Sequence, residues 1–234
     1  MARLQAHRGV SSEYPENTMA AFKASVDEGY DYIEFDPKYT SDGEIVILHD
    51  HTLDRTARKA DGSRVEKGTD IRKVTLAEAR SYDYGLWFSE DFRGEQIPLL
   101  TDLLDYARES GIPVKIDNVW ETFPEEIRAK LFDIVASYGE SIHVGFTCAR
   151  LETMAAAATR FPYADIHYDG GDLSAERLDE VAKIARGHHL YVWVCYDCEM
   201  TSWFKGTKAT PEVCKFVRQY GELGVWILSK REEL

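Results

Sequence analysis

Residues 32–50 read Tyr32-Ile33-Glu34-Phe35-Asp36-Pro37-Lys38-Tyr39-Thr40-Ser41-Asp42-Gly43-Glu44-Ile45-Val46-Ile47-Leu48-His49-Asp50. The fold turns on how the two apolar runs in this stretch, 32–37 and 45–49, are joined. Both carry strand signals, with apolar and β-branched residues bounded by turn formers. Too few residues separate them for a parallel crossover, which needs a dozen or more. Asp42-Gly43 is instead a hairpin signal. The chain is expected to rise through Asp36, descend through 37–41, turn at Asp42-Gly43 and rise again to His49. Glu34 and Asp36, two apart, then share one face of their strand. Asp36 and His49 arrive at the same end without a helix between them.

Away from this stretch, short apolar runs alternate with amphipathic ones, the pattern of βαβ units and a mainly parallel sheet. Strands are expected at 4–8, 32–37, 45–49, 113–118, 142–146, 164–168, 190–195 and 224–228, a set that suits an α/β fold of the TIM (β/α)8-type barrel. A helix is expected to run up to Gly29 with Asn17 as its N-cap. Others are expected over 101–110, 124–138, 151–160, 174–186 and 211–220, with Pro124 and Pro211 near helix starts. The rhythm breaks again between the third strand and the helix that follows it. Residues 51–97 are polar, carry one expected helix at 75–83, and are too long for an idle loop. They read as a small insertion over the barrel mouth within a single domain spanning 1–234.

Polar residues fall at or near the C-terminal ends of the expected strands: His7 and Arg8, Glu34 and Asp36, His49, and Lys115 with Asp117. Barrels of this type gather their active sites at that end. Carboxylates set close together raise one another's pKa, a conflict that a divalent cation removes. Glu34, Asp36 and Asp117 make an all-oxygen donor set, which suits Mg²⁺ or Ca²⁺ better than zinc. Such an ion would bind a phosphate oxygen as a Lewis acid. His7 and His49 would then flank the phosphorus as acid and base. Each residue also has a plainer reading: a lone histidine is often structural, Lys115 can simply pair with Asp117, and Asn17 can simply cap a helix. The joint pattern favours chemistry.

The 234 residues include 41 acidic and 28 basic ones, a formal net charge of -13. That sign disfavours nucleic acid and anionic membranes as partners, and it calls for a cation in the site if the substrate is an anionic small molecule. No signal peptide and no membrane-length apolar span is visible, so a cytoplasmic location is expected. Cys195 and Cys198 form one C-x-x-C with no second pair, while Cys148 and Cys214 stand apart. Cys195 reads as a small buried hydrophobe ending its strand rather than a zinc ligand.

The ordered motifs His7-Arg8-Gly9, Pro15-Glu16-Asn17-Thr18, Glu34-Phe35-Asp36, Thr40-x-Asp42-Gly43, His49-Asp50 and Leu53-Asp54-Arg55-Thr56 closely resemble those of the glycerophosphodiester phosphodiesterase family. Gly94-Glu95-x-Ile97-Pro98-x-Leu100 fits the end of that family's insertion. The resemblance is specific over residues 4–100 and weaker downstream. It implies a TIM barrel with a small insertion and a Ca²⁺ or Mg²⁺ site that includes Glu34 and Asp36. It further implies His7 and His49 as the acid/base pair, Arg8 as a phosphate contact, and cleavage of a glycerophosphodiester to glycerol phosphate and an alcohol. Where the family reads Glu-x-Lys on its fourth strand, this chain reads Asp117-Asn118-Val119, with Lys115 as a substitute cation. The family's Trp-x-x-Asn becomes Trp193-Val194-Cys195-Tyr196, keeping Trp193 as an expected substrate contact. Its closing Thr-Asp-x-Pro becomes Leu228-Ser229-Lys230. These departures face the substrate and leave three readings open. One is hydrolysis of a glycerophosphodiester or related polar phosphodiester. Another is a phospholipase-D-like reaction giving a cyclic phosphate, and the third is a silent barrel that binds a phosphorylated ligand.

Overall fold

Apolar runs become strands and periodic runs become helices in a computed structural model that describes residues 2–196 and 207–226. The chain divides into two compact units, Met1–Val144 and Gly145–Leu234. The first holds β1 (Gln5–His7), α1 (Met19–Asp27), β2 (Tyr32–Phe35), β3 (Pro37–Tyr39), β4 (Ile45–Ile47), α2 (Leu76–Ala79), α3 (Leu100–Ser110), β5 (Val114–Ile116) and α4 (Glu125–Tyr138). β2 lies between β1 and β5, parallel to both. All four of its residues are buried, as befits a parallel strand covered on both faces. In register, His7 sits beside Glu34 and Glu34 beside Lys115. One row across three strands thus carries an imidazole, a carboxylate and an ammonium.

The hairpin forms as read. β3 and β4 pair antiparallel, Pro37 opposite Ile47 and Tyr39 opposite Ile45. The Gly43 N–H donates to the Thr40 carbonyl at 2.9 Å, and the Thr40 N–H to that of Glu44 at 3.0 Å. Gly43 takes φ +76°, which costs glycine nothing for want of a Cβ. This corrects the count of eight barrel strands, because run 45–49 pairs with β3 in a separate two-stranded sheet. The second unit holds β6 (Val144–Cys148), α5 (Leu151–Arg160), β7 (Asp165–Tyr168), α6 (Ala175–Ile184), β8 (Leu190–Cys195), α7 (Pro211–Val217) and β9 (Glu222–Trp226). Its strands run parallel in chain order. The expected strand 224–228 starts earlier, at Glu222. Its residues 227 and 228, the run Leu228-Ser229-Lys230 and Cys198 lie outside the described residues. Cys195 is fully buried at the end of β8.

The first helix also differs from expectation. Thr18, not Asn17, caps α1, its Oγ1 accepting the Ala21 N–H at 3.3 Å.

Residues 51–97 pack around a core that they share with the hairpin strand β4. Leu53, Ala57, Val65, Ile71, Val74, Ala79, Tyr84 and Ile97 are buried together with Val46 and Leu48. The helix expected at 75–83 is only a single turn, α2. Asp83 ends that run, its carboxylate accepting the N–H groups of Gly85, Leu86 and Gly94. Leu53→Ala removes a fully buried side chain from this cluster. It is expected to cost about 2–5 kcal/mol and to raise amide exchange across 51–97 before the rest of the unit. Urea unfolding together with exchange mass spectrometry measures both.

Candidate active site

Strand interiors covered on both faces exclude charge, so the charged residues gather where strands end. Asp36 follows β2 directly. Asp117 follows β5, its N–H donating to the Phe35 carbonyl at 3.0 Å. Its carboxylate then accepts the Val119 N–H at 3.3 Å and starts a short turn over Asn118–Thr122. The expected strand 113–118 therefore stops at Ile116, and Val119 lies in that turn. Oxygens of Glu34, Asp36 and Asp117 all lie within 4.8 Å of one another. Burial raises the Glu34 carboxyl well above its ordinary range, and Asp36 and Asp117 raise it further. Burial and the Asp36 charge likewise push Asp117 up.

Carboxylates crowded in this way resist ionising together, and these three could hold a metal ion. A buried oxygen of Asn17, Oδ1, has no hydrogen-bond partner among the described residues, and an acceptor of that kind suits a cation or its water.

The turn after β1 builds the other wall. Arg8 and Gly9 both take positive φ, +58° and +76°. A Cβ on Gly9 would lie 2.6 Å from the Ala21 Cβ, so the turn packs directly on α1 and position 9 requires glycine. The turn aims the Arg8 N–H at Glu34 Oε2, 2.9 Å away. The guanidinium lies beside Asp36, with Nε 3.4 Å from Oδ2, and its Nη1 donates to Glu16 Oε1 at 3.1 Å. His7 Nε2 stands 4.0 Å from Glu34 Oε2. Partial desolvation together with the charges of Arg8, Lys115 and His49 lowers the His7 pKa to about 4, against the pull of Asp36.

Asn17 is the residue whose expected role changes most. It takes φ +57°, a left-handed conformation in which asparagine is enriched and which strained functional loops often use. Its N–H donates to the Arg8 carbonyl at 2.9 Å, and its Nδ2 to Asp36 Oδ2 at 2.8 Å. It is a holder of Asp36, not a helix cap. Asn17→Gly keeps the backbone and loses this bond, whereas Asn17→Ala also strains the backbone. Both variants are expected to weaken cation affinity alike, with the alanine variant less stable by about 1 kcal/mol. Calorimetric titration and thermal melts separate the two effects.

His49 arrives from the hairpin, because the Leu48 N–H donates to the Asp36 carbonyl at 2.9 Å. A cavity of about 390 Å³ opens there, lined by Asp36, Lys38, His49, Asp50, Asp117 and Val119 among others. Lys38, on β3, is a buried cation absent from the sequence expectations; burial lowers its pKa, while Asp36, Asp117 and Asp50 pull the other way. Lys115 is buried on β5, beside Glu34 in the row. The first unit thus brings together every expected site residue except Trp193. That residue belongs to the second unit, where its indole Nε1 donates to His167 Nδ1 at 3.1 Å.

Residues 7–193 match the family model described as the Glycerophosphoryl diester phosphodiesterase family. A glycerophosphodiester phosphodiesterase of Caldanaerobacter subterraneus subsp. tengcongensis is 39% identical over 112 residues, 48% of this chain and 43% of that protein. The match therefore spans less than half of that relative's length. Among solved structures, a protein from Silicibacter pomeroyi DSS-3 aligns with a TM-score of 0.79 at 19% identity, over 100% of this chain and 85% of the other. An Oleispira antarctica phosphodiesterase, solved with the product sn-glycerol-3-phosphate, aligns with a TM-score of 0.75 at 20% identity, over 99% and 87%. These likenesses show the fold, the α/β TIM-barrel class expected from the alternation of strands and helices. No helix among the described residues is long and apolar enough to cross a membrane.

Proposed function

The chain belongs to the glycerophosphoryl diester phosphodiesterase family, and from that premise we propose that it hydrolyses a glycerophosphodiester, or a related polar phosphodiester, to a phosphomonoester and an alcohol with Mg²⁺ or Ca²⁺ held by Glu34, Asp36 and Asp117. The observation that carries this reading is the trio of carboxylates within 4.8 Å of one another, set beside two histidines that come from different elements. A bound cation supplies Lewis-acid polarisation of a phosphate oxygen. Arg8, braced by Glu16 and Asp36, binds another phosphate oxygen, and a guanidinium fork suits that task. Lys115, in the row with His7 and Glu34, adds positive charge beneath the phosphate. His7 and His49 move the protons, one taking it from the attacking oxygen and the other giving one to the departing alcohol.

The family model runs across both compact units, which supports reading 1–234 as one phosphodiesterase domain with 51–97 as its insertion. The product held by the Oleispira enzyme supports glycerol phosphate as the phosphomonoester. Phosphorus NMR of a panel of glycerophosphodiesters, incubated with the chain and each metal, tests the proposal. Release of glycerol phosphate is expected. A persistent cyclic phosphate would replace hydrolysis by attack of a neighbouring substrate hydroxyl, and no conversion with either metal would sink the reading.

A further inference from the structure

His49 stands at the end of a run of charged side chains that the proton-transfer scheme does not use. Its Nδ1 lies 2.7 Å from Asp50 Oδ1. Arg55 also holds that carboxylate, Nε donating to Oδ2 at 2.5 Å and Nη2 to Oδ1 at 3.1 Å. The same guanidinium donates to both oxygens of Glu16, at 2.9 and 2.6 Å. Glu16 also accepts from Arg8, so one carboxylate ties the phosphate-facing arginine to the histidine's support. The Arg55 guanidinium lies 5.9 Å from the centre of the Trp87 ring, a contact within the 51–97 segment that both residues belong to.

The chemistry of the run sets the state of the histidine. Burial would raise the Asp50 carboxyl, but hydrogen bonds from Arg55 and His49 outweigh it and hold it at about 2. An ionised carboxylate only accepts hydrogen bonds. At 2.7 Å from it, His49 Nδ1 must carry the hydrogen, and Nε2 is left as the nitrogen that exchanges a proton with substrate. Resting on the reading of His49 as an acid–base group, we propose that Asp50 and Arg55 are positioning residues. Asp50 fixes the ring orientation and tautomer of His49, and Arg55, braced by Glu16 and Trp87, fixes Asp50.

A merely structural ion pair makes a different prediction. Arg55 is 41% exposed but grips Asp50 and Glu16, which are 25% and 13% exposed, so a bidentate network of this kind adds some stability as well; turnover and the ring tautomer, not melting temperature, separate a positioning role from a structural one. Asp50→Asn keeps the side chain's size but can present either an oxygen or an amide NH₂ to Nδ1, so the ring loses its single tautomer. The expected result is a fall in kcat of roughly 10- to 1,000-fold with KM within about threefold, larger than any accompanying fall in Tm accounts for in a protein that is still folded at the assay temperature. Arg55→Met is expected to lower kcat less, roughly 3- to 30-fold, and Arg55→Lys to recover part of that loss, since it keeps charge without the fork. Nitrogen-15 NMR of the His49 ring should show the Nδ1–H tautomer in the wild type and a mixture in Asp50→Asn. Wild-type kcat in Asp50→Asn, or unchanged ring shifts, would overturn the proposal. The NMR measurement needs no substrate. A chain inactive on every phosphodiester would therefore sink the functional reading, while the tautomer would still decide the positioning role.

Discussion

Asp36→Asn is expected to lower kcat/KM by about 10³-fold or more, the loss of several kcal/mol of transition-state charge stabilisation, while the protein stays folded. Asparagine keeps the shape of the side chain and a carbonyl oxygen near Asn17 and Arg8. Asp36 is buried just past the end of β2, and asparagine fits that space without adding volume. What the substitution removes is one of three crowded charges. In the folded chain without a cation, burial and then the Asp36 charge hold Glu34 and Asp117 above the ordinary carboxylate range. A carboxyl whose folded pKa is raised favours folding while protonated, and that contribution is lost as pH rises through the folded value. At neutral pH the bare cluster therefore opposes folding, and removing Asp36 lessens the opposition. Without added cation, Asp36→Asn should melt at the wild-type temperature or above it. Added Mg²⁺ or Ca²⁺ should raise the wild-type Tm by mass action and leave the variant unmoved. Calorimetry that finds wild-type cation affinity in the variant would remove Asp36 from the ligand set. A variant that unfolds would make its role structural.

Charge placement explains how much of this site was legible beforehand. Parallel strands covered on both faces admit charge mainly at their ends, so Glu34-x-Asp36 and Lys115-x-Asp117 stood out against apolar neighbours. Asp42-Gly43 disclosed the hairpin because only a tight turn joins strands so close in sequence. Groups whose partners lie far along the chain were not legible. Asparagine before a helix reads as a cap, and only its positive φ shows that Thr18 takes the cap while Asn17 turns to Asp36. Glu16 and Arg55 sit 39 residues apart, and no local pattern announces that they meet. Lys38 looks like an ordinary hairpin lysine, yet it points into the cleft. Asp117 stood out as a ligand but was placed inside the strand, whereas its carboxylate caps the turn that ends the strand.

His7→Ala and His49→Ala are each expected to lower kcat by about 10²–10⁴-fold while leaving the cation-induced rise in Tm in place. Neither ring completes the carboxylate cluster: His7 Nε2 is 4.0 Å from Glu34, beyond hydrogen-bond range, and His49 bonds to Asp50. Both side chains are well exposed, at 64% and 40%, so little packing is lost with them. Loss of the Tm rise in either variant would mark that histidine as a ligand instead. If the two share one cycle of proton transfer, the double variant should fall little below the worse single one, as residues acting as a unit do not add. Losses that multiply would mean separate steps. Substrate choice then divides the labour. A p-nitrophenyl ester expels a leaving group that needs no proton, so the variant lacking the acid should regain most of its rate on it, whereas the variant lacking the base should not. Recovery in both variants, or in neither, would break the assignment of one acid and one base to this pair.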